Sequence, residues 1–281
     1  MFLRSAFLRS AVILASLLIS QMAAAGVLER VAETNTLRIG YRDDTPPFSS
    51  EPEPGRRIGY SLELCRAVAD AVRFELKLRA LVIQYVPVLA ENRFEMMENG
   101  EIDLLCGSTT VTLSRRARVD FSLPTFVDGA GVMVRSADGI AVLADLADLR
   151  LAVTAGTTTE EALRASFPDA DISTVTYHQD GVTGLLARSI DAYFADRTVL
   201  HFLRLSVPEA NELQIADEYL TVEPFALALP LGDTRFRLLI DRTLSALYAS
   251  GQIEDIAADA FGGAPLSRLV KALYQITPLP E

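Results

Sequence analysis

The sequence predicts an α/β protein of two lobes built on largely parallel sheets, and three observations carry that reading. Apolar strand-like runs alternate with helical ones along the chain, the pattern of βαβ units. The alternation falls into two groups, joined by extended segments near 129–134 and 222–229. In each group a strand runs into a small hydroxyl-rich turn, Gly107-Ser108-Thr109-Thr110 in one and Gly156-Thr157-Thr158-Thr159 in the other. That echo is expected of facing lips of one cleft.

Residues 1–25 read as a cleaved secretory signal: Arg4 and Arg9 form a basic start, 11–19 an apolar centre and Ala23-Ala24-Ala25 a small-residue cleavage site. The apolar run is too short for a spanning helix, which needs about 20 residues, so an exported, soluble product is expected. The first lobe is predicted over 26–132 plus 224–281, the second, inserted within it, over 133–223. In the first lobe, strands are expected at 37–41, 81–86 and 102–106. A helix with 3.6-residue periodicity is expected over 61–74 and a short one over 93–98, closed by Asn99-Gly100. In the second, strands are expected at 151–154, 172–177, 192–195 and 213–215. A helix after 154 opens with a capping box of Thr158 and Glu161. The chain returns through 225–229 and finishes with helices over 235–249 and 253–261.

The full chain carries a net charge of −11, and removing the two leader arginines takes it to −13. An acidic chain without a basic cluster excludes nucleic acid as an expected partner. The only cysteines are Cys65, on the apolar face of a helix, and Cys106, in a buried-looking strand. They are either bridged or two buried thiols. With two histidines far apart, no zinc site and no other cofactor is expected. No nucleophile elbow, phosphate loop or HExxH motif is present, so the chain is not expected to be an enzyme.

The candidate site lies at strand ends. Ligands bind outside the carboxyl ends of strands in open α/β sheets. Ser108 and Thr110 offer hydroxyls there, and Arg115 offers a guanidinium fork that can hold a carboxylate. Arg42 follows the first strand and Arg93 opens a helix after the second. Three cations around one crevice repel unless anions fill it. Thr154 and Thr157 flank Gly156 at a helix N-terminus, which favours an anion. Asp196 ends a strand and can accept an ammonium group, and His178 ends another and can donate to a carboxylate. His201, inside an apolar helix, reads as structural, and Arg116 and Arg118 as solvated surface.

Several of these motifs resemble the family 3 periplasmic solute-binding proteins, the amino-acid receptors of ABC importers. The carriers are Ile58-Gly59-Tyr60-Ser61-Leu62-Glu63-Leu64, the run from Asn99-Gly100-Glu101-Ile102-Asp103 to Phe121-Ser122-Leu123-Pro124, and Ser189-Ile190-Asp191-Ala192 to Asp196. Asn92-Arg93, Cys106-Gly107-Ser108-Thr109-Thr110 and Val153-Thr154-Ala155-Gly156-Thr157-Thr158 resemble its glutamate/aspartate-binding branch. The resemblance implies a two-lobed periplasmic-binding-protein fold of type II with two crossover hinge segments. It also implies a periplasmic monomer that closes on an acidic amino acid and delivers it to an inner-membrane ABC permease. Arg115, Ser108, Thr110 and Thr157 would hold the α-carboxylate, and Asp196 the α-ammonium. Arg42, Arg93, His178 and Thr154 would face the side-chain carboxylate. Two departures stand out: Ala90 where the branch tends to have serine, and Arg197 where a second acid often follows Asp196. Rival readings are a receptor for another polar amino acid such as glutamine, a sensory module, or a dehydratase-like enzyme on the same scaffold with Glu223 or Asp44 as proton donor.

Overall fold

The computed structural model describes residues 26–140 and 142–280. The signal expected over 1–25 lies outside them. The chain enters through helix α1 (Val27–Thr34) and strand β1 (Thr36–Tyr41). A small sheet of β2 (Asp44–Thr45), β3 (Ser49–Glu53) and β4 (Arg56–Ile58) follows, then α2 (Tyr60–Glu75), β5 (Val82–Pro87) and α3 (Arg93–Glu98). Next come β6 (Leu104–Cys106), α4 (Leu113–Arg116) and β7 (Val119–Asp128). The second group holds β8 (Ala130–Arg135), β9 (Arg150–Thr154), α5 (Thr158–Ser166), β10 (Asp171–Val175), α6 (His178–Leu186), β11 (Ala192–Asp196), α7 (Arg197–Leu205) and β12 (Leu213–Ile215). The chain returns through β13 (Glu223–Pro230) and ends with α8 (Thr234–Ser250), α9 (Gln252–Ala260) and α10 (Arg268–Ile276).

Two five-stranded sheets result, ordered β5-β1-β6-β13-β7 and β10-β9-β11-β8-β12. In the first, β1 pairs in parallel with β5 and β6, so Tyr41 lies beside both Pro87 and Cys106. That register sets the exits toward Arg42, the 88–93 segment and Gly107 side by side. In the second, β9 pairs in parallel with β10 and β11, which aligns the exits toward Thr157, His178 and Asp196. The chain passes between the sheets twice, at 129 and through 216–222. The two crossings touch: Leu220 N–H donates to Ala130 O at 2.8 Å. Gly129 is required there, because a Cβ on it would stand 2.3 Å from Thr221 O.

Helix α2 buries Leu62, Leu64, Cys65, Val68, Ala69 and Val72 against the first sheet. This is the i, i+3, i+4, i+7 face of an amphipathic helix. Each fully buried Leu or Val contributes about 1.5–3 kcal/mol relative to exposure. Phe48, Phe126, Phe225 and Phe261 form an aromatic centre, with Phe126 5.1 Å from Phe48 and 5.3 Å from Phe261. Rings at such spacing add to area burial through their quadrupoles. The second sheet has its own core of Val132, Leu151, Val153, Leu163 and Phe194. Cys65 and Cys106 are bridged, which resolves the alternative the sequence left open and ties α2 to β6 just before the Gly107 turn. Asp103 anchors the opposite edge, accepting from Arg38 N and Arg38 Nη2 at 2.7 Å each and from Arg30.

Four details differ from the sequence expectations. The sheet β2-β3-β4 and helices α1, α4, α6 and α10 stand outside the elements the sequence predicts. None of these helices exceeds nine residues, and α1 and α10 bury only Val27, Leu28 and Val31, and Val270 and Tyr274. Helix α5 is capped by Thr157, whose hydroxyl accepts from Glu160 N at 3.1 Å, not by Thr158. Finally, His178 opens α6 instead of closing the strand before it, which ends at Val175.

Candidate functional site

Between the two sheets lies one cavity whose walls include Arg42, Arg93, Ser108, Thr110 and Arg115 from the first and Thr154, Thr157, His178 and Asp196 from the second. All nine residues singled out from the sequence therefore meet. His201 is exposed on α7, with an edge-on contact to Phe202, so it is a surface group and not a core one. Arg118 pairs at the surface with Glu98 at 2.6 Å. Among the described residues, no cluster of three His, Cys, Asp or Glu side chains is arranged to hold a metal ion.

The three arginines are only 5–7 % exposed, and each is met differently. Arg115 Nη1 donates to Thr110 O at 2.9 Å, and Thr112 caps its short helix by accepting from Arg115 N at 3.1 Å. Arg93 Nη1 donates to Ala90 O, and its Nη2 reaches across to Gly156 O at 3.4 Å. Arg93 Nε is buried without a hydrogen-bond partner. Both guanidinium groups lie near the Phe94 ring, 4.6 and 5.3 Å from its centroid, a modest cation–π contribution. Burial first, then the charges of Arg115 and Arg42, push the Arg93 pKa well down. Arginine keeps its proton in proteins, and a buried cation needs a counter-charge. Arg42 already has a carboxylate beside it: Asp44 Oδ1 is 2.9 Å from its Nε and 2.6 Å from its Nη2.

Opposite these cations sits an acidic pole. Burial, with the charges of Asp128 and Glu223 beside it, raises the Asp196 pKa well above the usual carboxylate range. Burial likewise raises Asp128, whose carboxylate accepts from Thr198 N at 2.9 Å. Arg197 turns away from Asp196, donating to Ala216 O and lying over the Tyr219 ring at 5.0 Å. The second acid that the 197 position lacks thus has counterparts from other elements, Asp128 and Glu223, which sequence adjacency could not reveal.

The third feature is a neutral polar network. His178 Nδ1 lies 2.6 Å from Tyr193 Oη and 3.2 Å from Thr154 Oγ1, and those two oxygens are 2.8 Å apart. Burial brings His178 down to about 4, against the pull of Asp44. The ring is therefore neutral at pH 7. In the tautomer whose Nδ1 accepts from Tyr193 Oη, Nε2–H is the donor left for a guest. Burial pushes Asp44 up, while the Arg42 guanidinium and the donating His178 N–H hold it below the ordinary value. An ionised Asp44 is the wrong state for the proton donor that the enzyme reading requires.

Contacts across the cleft close it. Thr158 donates to Glu223 Oε2 at 2.9 Å, and its hydroxyl is 3.3 Å from that of Thr110. His178 N donates to Asp44 Oδ2 at 2.9 Å. At Gly156 (φ +72°) a Cβ would meet Glu91 Cα at 2.8 Å, so the turn after β9 rests on the 90–91 backbone. Thr158, Glu223 and Asp44 thus join the nine through contacts between the two sheets, and Tyr193 through the second sheet alone; the sequence points to Glu223 and Asp44 only as proton donors and to Thr158 only as a cap.

The chain is similar to known proteins in sequence and in fold. Residues 37–263 match the bacterial extracellular solute-binding proteins, family 3. Over 257 residues the chain is 31% identical to the L-glutamate/L-aspartate-binding protein of Pseudomonas aeruginosa, covering 89% of this chain and 85% of that one. It is 27% identical over 236 residues to the glutamate/aspartate import solute-binding protein of Escherichia coli K12, covering 83% and 78%. Among solved structures, the ancestral amino acid-binding protein AncCDT-1, a precursor of cyclohexadienyl dehydratase, aligns with a TM-score of 0.74 at 25% identity, covering 84% of this chain and all of that one. No helix among the described residues is long and apolar enough to cross a membrane.

Proposed function

This chain belongs to the family 3 bacterial extracellular solute-binding proteins, and from that membership we propose that it captures L-glutamate or L-aspartate between its lobes for delivery to an ABC permease outside the cytoplasm. The observation that carries the acidic ligand is the convergence of Arg42, Arg93 and Arg115, all buried, on one cavity. Removing a charge from water costs several kcal/mol unless it is paired, and the three cations have one side-chain carboxylate, Asp44, directly against them. A guest with two carboxylates completes the pairing.

In this reading Arg115, with the hydroxyls of Ser108, Thr110 and Thr157, takes the α-carboxylate as a charge-assisted fork. The ammonium sits against Asp196, supported by the charges of Asp128 and Glu223. Its arrival favours the ionised form of Asp196 and lowers the pKa that burial has raised. Arg93 and neutral His178 face the side-chain carboxylate. Closure by hinge motion then shuts water out. Calorimetric titration with L-glutamate, L-aspartate, L-glutamine and L-arginine tests the proposal. Binding of the acids at least tenfold more tightly than the others is expected, and equal or preferred binding of glutamine or arginine overturns it.

The enzyme reading keeps one supporting observation, the relation to a dehydratase precursor. A buried carboxyl whose pKa is raised, as that of Asp196 is by burial, suits a general acid. Release of product from cyclic carboxylated substrates by purified protein would favour it.

A further inference from the structure

Arg42 is the one arginine of the cavity whose guanidinium is taken up by a side chain of the protein itself. Asp44 Oδ1 sits between its Nε and Nη2, at 2.9 and 2.6 Å. The other oxygen of the same carboxylate accepts from His178 N at 2.9 Å, the opening residue of α6 on the far side of the cleft. Asp44 is largely buried. A carboxylate held between a guanidinium and the N-terminal turn of a helix has the position and partners that a ligand's own carboxylate would seek.

The charges at this end then count differently from what three arginines suggest. Arg42 and Asp44 cancel and His178 is uncharged. Arg42 Nη2, though 2.6 Å from Asp44 Oδ1, makes no hydrogen bond; Arg93 has no carboxylate against it at all, with Nε unpartnered and only backbone carbonyls on its other nitrogens.

We propose that Asp44 is a specificity-determining residue: an internal carboxylate that occupies Arg42, leaves Arg93 as the sole guanidinium for the ligand's side chain, and thereby narrows the discrimination between an acidic amino acid and its amide. The same carboxylate fastens the closed cleft through His178 N. This rests on the acidic-amino-acid reading above.

The experiment is calorimetric titration of the whole protein and its Asp44→Asn, Asp44→Ser and Arg42→Gln/Asp44→Asn variants with L-glutamate and L-glutamine, each variant first checked for a cooperative melt. Loss of the clasp weakens both ligands alike, so the ratio of their dissociation constants is the readout. Freeing Arg42 should raise the preference for glutamate about tenfold or more, the scale of one hydrogen bond to a charged group, in Asp44→Asn and Asp44→Ser alike. The double variant should return it to the wild-type ratio. A ratio that stays the same or falls in whichever single variant folds overturns the role given to Asp44, while wild-type protein that fails to prefer the acids overturns the underlying reading, and this proposal with it.

Discussion

The two ends of the cleft are built on opposite plans. At one end Arg115 hydrogen-bonds only to a backbone carbonyl, and burial, with the crowding of the acids beside it, raises the Asp196 pKa well above its ordinary value. At the other, Arg42 is neutralised by Asp44, and His178, Thr154 and Tyr193 satisfy one another. The first end has open valences of both signs, which suits the carboxylate and ammonium that every amino acid carries. The second has filled most of its own, so what it asks of a side chain is narrow. On the proposed reading, the comparison assigns affinity to one end and selectivity to the other. The sharpest way to break it is at Arg115. Arg115→Ala should weaken every amino acid bound, acidic or neutral, by about 3–5 kcal/mol, the scale of breaking a buried charge pair. Calorimetry that finds a loss confined to acidic ligands would move the common anchor elsewhere.

The filled end is next, through its proton. His178 is brought from 6.5 to about 4 in the folded protein. Above pH 6.5 the ring is neutral folded or unfolded and pH has no effect through it. Between 6.5 and about 4 the unfolded chain binds the proton and the folded one does not, so stability falls as pH falls, by up to about 3 kcal/mol. Asp196, whose pKa is raised, works in the opposite sense, so the measurement is a difference. Denaturant melts from pH 7 to 4 should lose stability more steeply in wild type than in His178→Gln. Parallel curves would mean that the imidazole is not held neutral.

Arg93 sits between the two ends, its pKa depressed by both Arg115 and Arg42. Replacing it with Gln should cost an acidic ligand about 1.5–3 kcal/mol, the range for a hydrogen bond to a charged group, and a neutral one markedly less. Equal losses in parallel titrations would place Arg93 with the common anchor and not with the selective end.

Much of this was legible before any coordinates because strand ends announce themselves. An apolar run that stops at Arg42, at Gly107-Ser108 or at Asp196 marks the carboxyl edge of a sheet, and edges of parallel strands share one side by register. That geometry is why all nine expected residues line one cavity. What stayed hidden depended on contacts between distant segments. Two adjacent threonines are equivalent in a sequence, yet Thr157 caps α5 while Thr158 crosses to Glu223. Asp44 reads as a turn residue or a cleft proton donor, not as a clasp, until α6 is brought to it. Whether Cys65 meets Cys106 depends on how α2 seats over β6, which periodicity does not state.

The smallest expected effect tests closure without touching any charge. Gly156 adopts φ +72°, and a Cβ there would stand 2.8 Å from Glu91 Cα and 3.0 Å from Glu91 N. Backbone atoms cannot swing aside as a side chain can, so Gly156→Ala must hold the two lips apart by a few tenths of an ångström. The left-handed conformation itself adds about 1 kcal/mol of strain to an alanine in either state of the cleft. The clash adds only when the lips meet, and it also disturbs the Arg93–Gly156 contact. The melting temperature of the ligand-free variant should therefore move little, while affinity for acidic and neutral amino acids falls together by several-fold. Because the turn belongs to neither end of the cleft, the glutamate-to-glutamine ratio should stay where it was. A change in that ratio would mean that the lip, and not the Arg42–Asp44 pair, sets selectivity.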